Sequence, residues 1–274
     1  MVLAHDVRQD DGRTLRAYET GEADAALTVV WHHGSPQTGV PLDPLVDAAA
    51  QRGIRLVTYA RPSYGGSTPV PGRDVAAAAA DVARIADALG ITRFATMGAS
   101  GGAPHALGCA AVLGRRVTGV VTLAGLAPFT EDFDWYEGMA SPGGLRAARD
   151  GREARARFAE TDEFDEASFT AADWAALAAT WESLGDDAMR AMNAGPDGLI
   201  DDDVAFAAPW GFGLDEVAAP VLAVHGGEDR VVPPAHAQAL LAGFPQAELW
   251  LRPPDGHISV LDACPAAMDW LLTA

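Results

Sequence analysis

Cysteines and aromatic residues are scarce in this sequence. The two cysteines, Cys109 and Cys264, lie far apart with no CxxC spacing, so a disulfide framework is excluded and both are interpreted as small core residues. Aromatic residues make up 7% of the chain, whereas 49% of its 274 residues are hydrophobic. The composition therefore excludes a disordered chain and predicts a large core of small and branched side chains.

Basic residues are also few. The chain has 19 Lys and Arg residues against 38 Asp and Glu residues, a formal charge of −19. Because phosphate backbones and anionic lipid surfaces would repel such a chain, we expect no nucleic-acid partner and no membrane partner. The acidic residues are interpreted as a solvated surface that resists aggregation.

Long apolar runs are absent from the sequence. The first residues, MVLAHDVRQDDG, contain no basic stretch followed by an apolar one. No window of about 18 residues is apolar and free of charge, as a membrane-spanning helix requires. These absences predict a cytoplasmic protein.

Apolar β-favouring runs alternate with segments of helical periodicity along most of the chain. The alternation predicts an α/β fold, a mostly parallel twisted sheet flanked by helices. Ligands bind such sheets beyond the carboxyl ends of the strands. The predicted strands span residues 27–31, 55–59, 94–97, 117–123, 221–224 and 248–251.

The alternation is interrupted between residues 128 and 209, where no convincing strand occurs. Helical segments are predicted at 144–160 and 168–184, and an unstructured loop of this length is implausible inside a folded domain. We interpret residues 128–209 as an inserted helical cap on a core formed by residues 1–127 and 210–274. The alternative is a set of helices that merely covers one sheet edge.

A candidate nucleophile lies in the pentapeptide Gly98-Ala99-Ser100-Gly101-Gly102, between a predicted strand and a predicted helix. In this context a G-x-S-x-G match indicates a tight turn that exposes the serine hydroxyl. The glycines allow neighbouring segments to approach closely. The amino end of the following helix favours a developing negative charge.

A serine hydroxyl needs a base to accept its proton. His257, in the sequence PDGHIS, follows the last predicted strand and is the best of the seven histidines by position. Asp229 follows the strand at 221–224 and can orient the imidazole, with Glu228 as the competing carboxylate. His5, His105 and His236 are assigned to a terminus, a structural role and a surface helix, respectively.

These residues follow the order Ser, Asp, His on strand ends, and the chain resembles the α/β-hydrolase fold family. The segments HHGSP, RPSYGGS, GASGG, HGGEDRVVP and DGH carry the resemblance. The resemblance implies a catalytic triad of Ser100, Asp229 and His257, with the N–H groups of Ser35 and Gly101 as the oxyanion hole. It also implies that the stretch from Arg61 to Ser67 is a structural turn, with Tyr64 as a candidate pocket residue.

The resulting hypothesis is a serine esterase that cleaves a small or medium ester through a Ser100 acyl-enzyme. Alternatives with the same triad are a C–C bond hydrolase, a proline iminopeptidase, a lactonase and a cofactor-free perhydrolase, and a non-catalytic ligand receptor is also kept. An aminopeptidase would need cap carboxylates such as Glu131, Asp132, Asp134 and Glu137. We expect a small-molecule substrate, no cofactor and no metal, and we leave a homodimer open.

Overall fold

One mixed sheet organises the chain, as seen in a computed structural model that describes residues 1–244 and 246–274. In that part of the chain eight strands follow the spatial order β1-β2-β4-β3-β5-β6-β7-β8. β1 and β2 pair antiparallel with each other, β2 pairs antiparallel with β4, and the other pairs are parallel. The strands are β1 Leu3–Arg8, β2 Thr14–Thr20, β3 Thr28–His32, β4 Arg55–Tyr59, β5 Phe94–Ala99, β6 Val117–Leu123, β7 Val221–Gly226 and β8 Ala247–Arg252.

Helices cover both faces of this sheet, so the predicted α/β architecture is confirmed. One face packs mainly against α2 (Ala77–Ala88) and α3 (Gly102–Leu113). The other face packs against α1 (Asp43–Gln51) and α10 (Cys264–Leu271). The central strands β3 to β7 are almost entirely buried, and for this reason they appear in the sequence as continuous apolar runs.

The first two strands were missed from the sequence. β1 is an edge strand and largely exposed, so it lacks the apolar run by which the central strands were identified. The residues between β1 and β2 form a hairpin turn in which Gly12 has a φ of 87°. Within the turn, the Gln9 N–H donates to the Arg13 carbonyl at 2.8 Å.

Five α-helices lie between β6 and β7, in the segment predicted as a cap. The segment at 144–160 is two helices rather than one, because Gly151, with a φ of 92°, separates them. The boundaries of the cap segment, 128 and 209, stay a prediction. The helices are α4 Gly143–Arg149, α5 Arg152–Ala159, α6 Ala171–Leu177, α7 Glu182–Ala194 and α8 Asp197–Ala207, and α9 Ala235–Gly243 follows β7.

Candidate active site

Ser100 lies in a tight turn between β5 and α3. Its φ of 51° is in the left-handed region, which residues other than glycine rarely adopt. The flanking glycines make the turn possible. A Cβ on Gly98 would lie 2.5 Å from the carbonyl oxygen of Gly102, and a Cβ on Gly102 would lie 1.9 Å from that of His32. The turn thus holds the serine at the carboxyl end of the central strands, as the pentapeptide predicts.

A chain of hydrogen bonds connects Ser100 with His257 and Asp229. Ser100 Oγ lies 3.0 Å from His257 Nε2, and His257 Nδ1 lies 2.8 Å from Asp229 Oδ2. His257 and Asp229 are buried, whereas Ser100 is partly exposed. The structure therefore brings together the three residues chosen from the sequence, in the order that a serine nucleophile and a histidine base require.

Asp229 is held in place by the backbone of its own loop. Its Oδ1 accepts hydrogen bonds from the N–H groups of Val231 at 2.9 Å and Val232 at 2.8 Å. This leaves Oδ2 directed at the imidazole. The neighbouring Glu228 is exposed to solvent, so Asp229 is the carboxylate of the pair that contacts His257.

The loop that carries His257 is fixed from the cap segment by Asp173, a residue that sequence reasoning missed. Asp173 is fully buried in α6. Its Oδ1 accepts the N–H groups of Ile258 and Ser259, both at 2.8 Å, while Oδ2 accepts the N–H of Thr170 at 2.9 Å. An acidic residue three positions after a threonine is a helix-capping signal, but it does not indicate a contact with a loop 85 residues further along the chain.

Two carboxylates determine the protonation of His257. Burial by itself lowers the pKa of the imidazole, but the charge and hydrogen bond of Asp229 and the charge of Asp173 outweigh it. The net pKa is raised above the usual value of 6.5. His225, at the end of β7, differs: burial lowers its pKa, and its Nε2 lies 2.8 Å from the Val232 carbonyl. It is therefore a neutral structural residue.

Ser35 and Gly101, the residues implied as oxyanion donors, lie against each other. A Cβ added to Gly101 would lie 2.3 Å from Ser35 Oγ. Within residues 1–244 and 246–274, the N–H group of neither residue donates a hydrogen bond to the rest of the chain. Gly101 also directly precedes the first residue of α3, and N–H groups at the start of a helix favour an anion. The role of Ser35 and Gly101 as oxyanion donors stays a prediction.

Two further cap carboxylates contact the loop that carries Ser35. Asp187 of α7 accepts a hydrogen bond from the Thr38 N–H at 2.9 Å, and Asp202 of α8 accepts one from Ser35 Oγ at 2.5 Å. Both aspartates are almost completely buried. Their assignment to a solvated surface is therefore wrong. The sequence signal for Asp202 is the acidic run 201–203, which is flanked by apolar residues in one helix. Because buried carboxylates require partners, such a run could have indicated contacts with donors elsewhere in the chain.

Other sequence-based assignments have mixed outcomes. His236 is buried rather than on a surface helix, and its imidazole bridges Ala127 N and the Trp135 carbonyl oxygen. His105 is buried as expected for a structural residue. Tyr64 is buried and donates its hydroxyl to Asp202 at 2.9 Å. The carboxylates considered for an ammonium site are all exposed: Glu131, Asp132, Asp134 and Glu137.

Residues 1–244 and 246–274 contain neither a grouping of metal ligands nor a helix suited to spanning a membrane. In the described part of the chain, no three His, Cys, Asp or Glu side chains are grouped as metal ligands would be. Among the same residues, none of the helices combines the length and the apolar character needed to cross a membrane.

Comparison with protein-family models gives one match. The model described as the alpha/beta hydrolase fold matches residues 28–263, which include all five candidate site residues. None of the curated proteins compared with the chain matches it.

Solved structures of several hydrolases and related enzymes resemble the chain over nearly their whole length. A bromoperoxidase from Bacillus anthracis is 22% identical with a TM-score of 0.75, and each chain is covered to 100%. An esterase from Rhodococcus sp. ECU1013 is 19% identical with a TM-score of 0.75, covering 99% of this chain and 98% of its own. The enol-lactonase from Burkholderia xenovorans LB400 is 20% identical with a TM-score of 0.71, covering 96% and 97%.

Proposed function

This chain belongs to the alpha/beta hydrolase fold family, and on that premise we propose that it is a serine hydrolase that cleaves a carboxylic ester. The substrate is a small or medium molecule. The observation that carries the proposal is the continuous chain of hydrogen bonds from Asp229 through His257 to Ser100, at 2.8 and 3.0 Å.

The first half of the reaction forms an acyl-enzyme. His257 Nε2 accepts the proton of Ser100 Oγ while the oxygen attacks the ester carbonyl carbon. The negative charge moves to the carbonyl oxygen, where the N–H groups of Ser35 and Gly101 stabilise it. The tetrahedral intermediate then expels the alcohol, which takes the proton from His257.

The second half returns the enzyme to its starting state. His257 accepts a proton from water, the hydroxide oxygen attacks the acyl carbon, and Ser100 leaves with the proton that His257 returns. Throughout, Asp229 keeps the imidazole in the tautomer whose Nε2 faces the serine. None of these steps requires a group other than the side chains, the backbone and water.

The comparisons support a hydrolase fold and do not select the bond that is cleaved. Esterases and an enol-lactonase are among the structures that resemble the chain, each near 20% identity, and such a likeness carries the fold alone. An aminopeptidase is not favoured, because the four carboxylates considered for an ammonium group are exposed.

The test is a chain-length series of p-nitrophenyl esters combined with labelling by a fluorophosphonate, whose phosphorus forms a bond to the nucleophilic oxygen as fluoride leaves. We expect Ser100→Ala to lower turnover by about 10³-fold or more and to abolish labelling seen by intact mass. Ser183→Ala is the matched control. Ser183 lies in α7, outside the candidate triad, and its hydroxyl has no hydrogen-bond partner in the described structure.

Three outcomes separate the hypotheses. Turnover and labelling that both depend on Ser100 would support the esterase and would show the size of the pocket. Labelling at Ser100 without turnover of any ester would redirect the search to C–C, peptide or lactone bonds and to perhydrolysis. Neither labelling nor turnover in the folded protein would refute the nucleophile and favour a ligand receptor.

A further inference from the structure

Asp202, in cap helix α8, lies at the centre of a buried group of polar side chains behind the candidate oxyanion hole. The residue is fully buried. Its Oδ2 accepts hydrogen bonds from Ser35 Oγ at 2.5 Å, Arg61 Nη2 at 2.6 Å and Tyr64 Oη at 2.9 Å. Its Oδ1 accepts one from Arg73 Nη2 at 2.6 Å. A carboxylate with this many donors is fixed in one orientation, and it fixes the donors in turn.

Arg61 extends this fixation to the backbone of the oxyanion loop. Its guanidinium donates to the carbonyl oxygens of His33 at 2.5 Å and Gly34 at 3.3 Å, and it also donates to Ser35 Oγ at 2.9 Å. The two peptide units that precede Ser35 and the Ser35 side chain are therefore all held by one arginine. Because that arginine is held by Asp202, the direction of the Ser35 N–H depends on a residue of the cap.

The same face of α8 contacts the second candidate donor. Phe206 follows Asp202 by four positions, so the two side chains lie on one face of the helix. A Cβ added to Gly101 would meet Phe206 Cζ at 3.0 Å as well as Ser35 Oγ at 2.3 Å. Helix α8 thus packs against Ser35 and Gly101 together.

The ionisation of Asp202 and of the adjacent histidine follows from burial and from the two arginines. Burial would raise the pKa of Asp202, but Arg61 and Arg73 outweigh burial and hold the pKa well below 3.8. Burial lowers the pKa of the adjacent His105 to about 4, so its imidazole is neutral at pH 7. Asp202 is therefore a charged carboxylate, and it pairs with both guanidinium groups, Arg61 at 2.6 Å and Arg73 at 2.6 Å.

We propose that Asp202 is a positioning residue of the oxyanion hole. Through Asp202, the position of cap helix α8 controls the rate of acyl transfer. The proposal rests on the function proposed above. It assigns to Asp202 no contact with the substrate: the carboxylate acts on the Ser35 N–H through Ser35 Oγ and Arg61.

The experiment compares Asp202→Asn and Ser35→Ala with the control Asp203→Asn. Asp203 is the next residue of the same helix and is also buried, but it pairs with Arg155 of α5 within the cap segment. Ser35→Ala keeps every ion pair of the group and the backbone donor, so it tests the coupling if Asp202→Asn does not fold. Each variant is assayed on a p-nitrophenyl ester and on the thionoester of the same acid, whose sulfur is a poor hydrogen-bond acceptor.

We expect both test variants to lower kcat on the ester by about 10- to 100-fold, less than the loss of a whole donor. KM should stay within about three-fold and the thionoester rate should change little, so that the preference for oxygen over sulfur falls by the same 10- to 100-fold factor. Asp203→Asn should leave the preference unchanged. Equal losses on both substrates, or an unchanged preference in folded Ser35→Ala, would overturn the proposal.

The rate of fluorophosphonate labelling separates failure of this proposal from failure of the proposed function. The phosphoryl oxygen of the adduct occupies the oxyanion hole, so labelling should slow at least ten-fold in Asp202→Asn and Ser35→Ala even if no ester is turned over. Equal labelling rates in wild type, Ser35→Ala and Asp203→Asn would overturn the role of Asp202 alone. A wild type that neither labels nor hydrolyses overturns both proposals.

Discussion

At the scale of single residues, Asp229 divides its two oxygens between two tasks. Oδ1 accepts the N–H groups of Val231 and Val232, and Oδ2 faces His257 Nδ1. An asparagine cannot serve both sides, because its amide has one oxygen and one donating nitrogen. The nitrogen would face either two backbone donors or the imidazole N–H.

We therefore expect Asp229→Asn to lower kcat for ester hydrolysis by about 10⁴-fold, the effect known for a wrong imidazole tautomer. Glu228→Gln is the matched control, since this neighbour is exposed, and it should retain wild-type kcat. Steady-state kinetics on a p-nitrophenyl ester measure both. A large loss of kcat in Glu228→Gln, with near-normal kcat in Asp229→Asn, would show that Glu228 rather than Asp229 is the acid.

The protonation of His257 predicts the pH dependence of the reaction. Protonated imidazole cannot accept the Ser100 proton, so activity is lost as pH falls through the pKa of His257. Because that pKa is raised above 6.5 by Asp229 and Asp173 against the effect of burial, the acid limb of kcat/KM should have its midpoint above pH 6.5. Asp173→Asn removes one of the two charges and should shift the midpoint to lower pH. A midpoint clearly below 6.5 in the wild type would contradict this account.

At the scale of secondary-structure elements, glycines have opposite roles in two helices. Gly102 is the first residue of α3, directly after the Ser100 turn. A Cβ on Gly102 would lie 1.9 Å from the carbonyl oxygen of His32. Gly185 lies within α7, and the nearest atom to its Cβ would be Leu177 Cδ2 at 3.7 Å. One glycine is required by a close approach, whereas the other only lowers helix propensity.

Gly185→Ala should accordingly raise the free energy of unfolding by about 0.5–1 kcal/mol. Gly102→Ala should lower it by about 1–3 kcal/mol or more, because backbone atoms rather than a flexible side chain must move. Urea titrations of the two variants and the wild type measure both changes. Equal stability of the three proteins would mean that the turn is looser than described.

At the scale of the whole molecule, the negative charge is partly internal. The net charge is −19, yet Asp173, Asp187 and Asp202 are buried and bind the loops of His257, Thr38 and Ser35. Since each carboxylate is matched by donors, the cap segment is joined to the core by polar contacts as well as by apolar packing. The helices between β6 and β7 thus help to hold the loops of the candidate site in place.

Asp203 gives this internal charge a measurable effect on stability. Burial, opposed by Arg155, raises the pKa of Asp203 from 3.8 to about 6. A raised carboxyl pKa favours the folded state fully below the unfolded value, and this stabilisation is lost as pH rises through the folded value. Between about pH 4 and 6, Asp203 therefore lowers the free energy of unfolding as pH increases.

We expect Asp203→Asn to lack this contribution. The difference in the free energy of unfolding between wild type and variant should change by about 1–3 kcal/mol between pH 4.5 and pH 7, in the direction that favours the variant at pH 7. Urea unfolding at the two pH values gives the difference, and the pH dependence is the test because loss of the Arg155 pair shifts the stability at both. A difference that does not vary with pH would refute the raised pKa.

The sequence by itself determined the parts of the molecule that depend on local pattern. Buried parallel strands are continuous apolar runs, so β3 to β7 and their carboxyl-end loops were identifiable, and with them Ser100 and Asp229. His257 follows β8, a partly buried edge strand, and was identified by its place after the last predicted strand. The glycines around Ser100 were equally identifiable, because the constraint they meet lies within a few residues. The hairpin of the largely exposed β1 and the half-buried β2 carries no such run and was missed.

Only the tertiary structure decided which acidic residues are buried and what they hold. Ser35 and Asp202 are 167 positions apart, and Asp173 and Ile258 are 85 apart. An aspartate in a helix has the same sequence neighbours whether its side chain faces water or a loop that is distant along the chain. Its burial, its pKa and its partners arise when distant segments pack together. A local pattern such as the acidic run 201–203 can indicate that a carboxylate needs partners, but it does not indicate which residues those are.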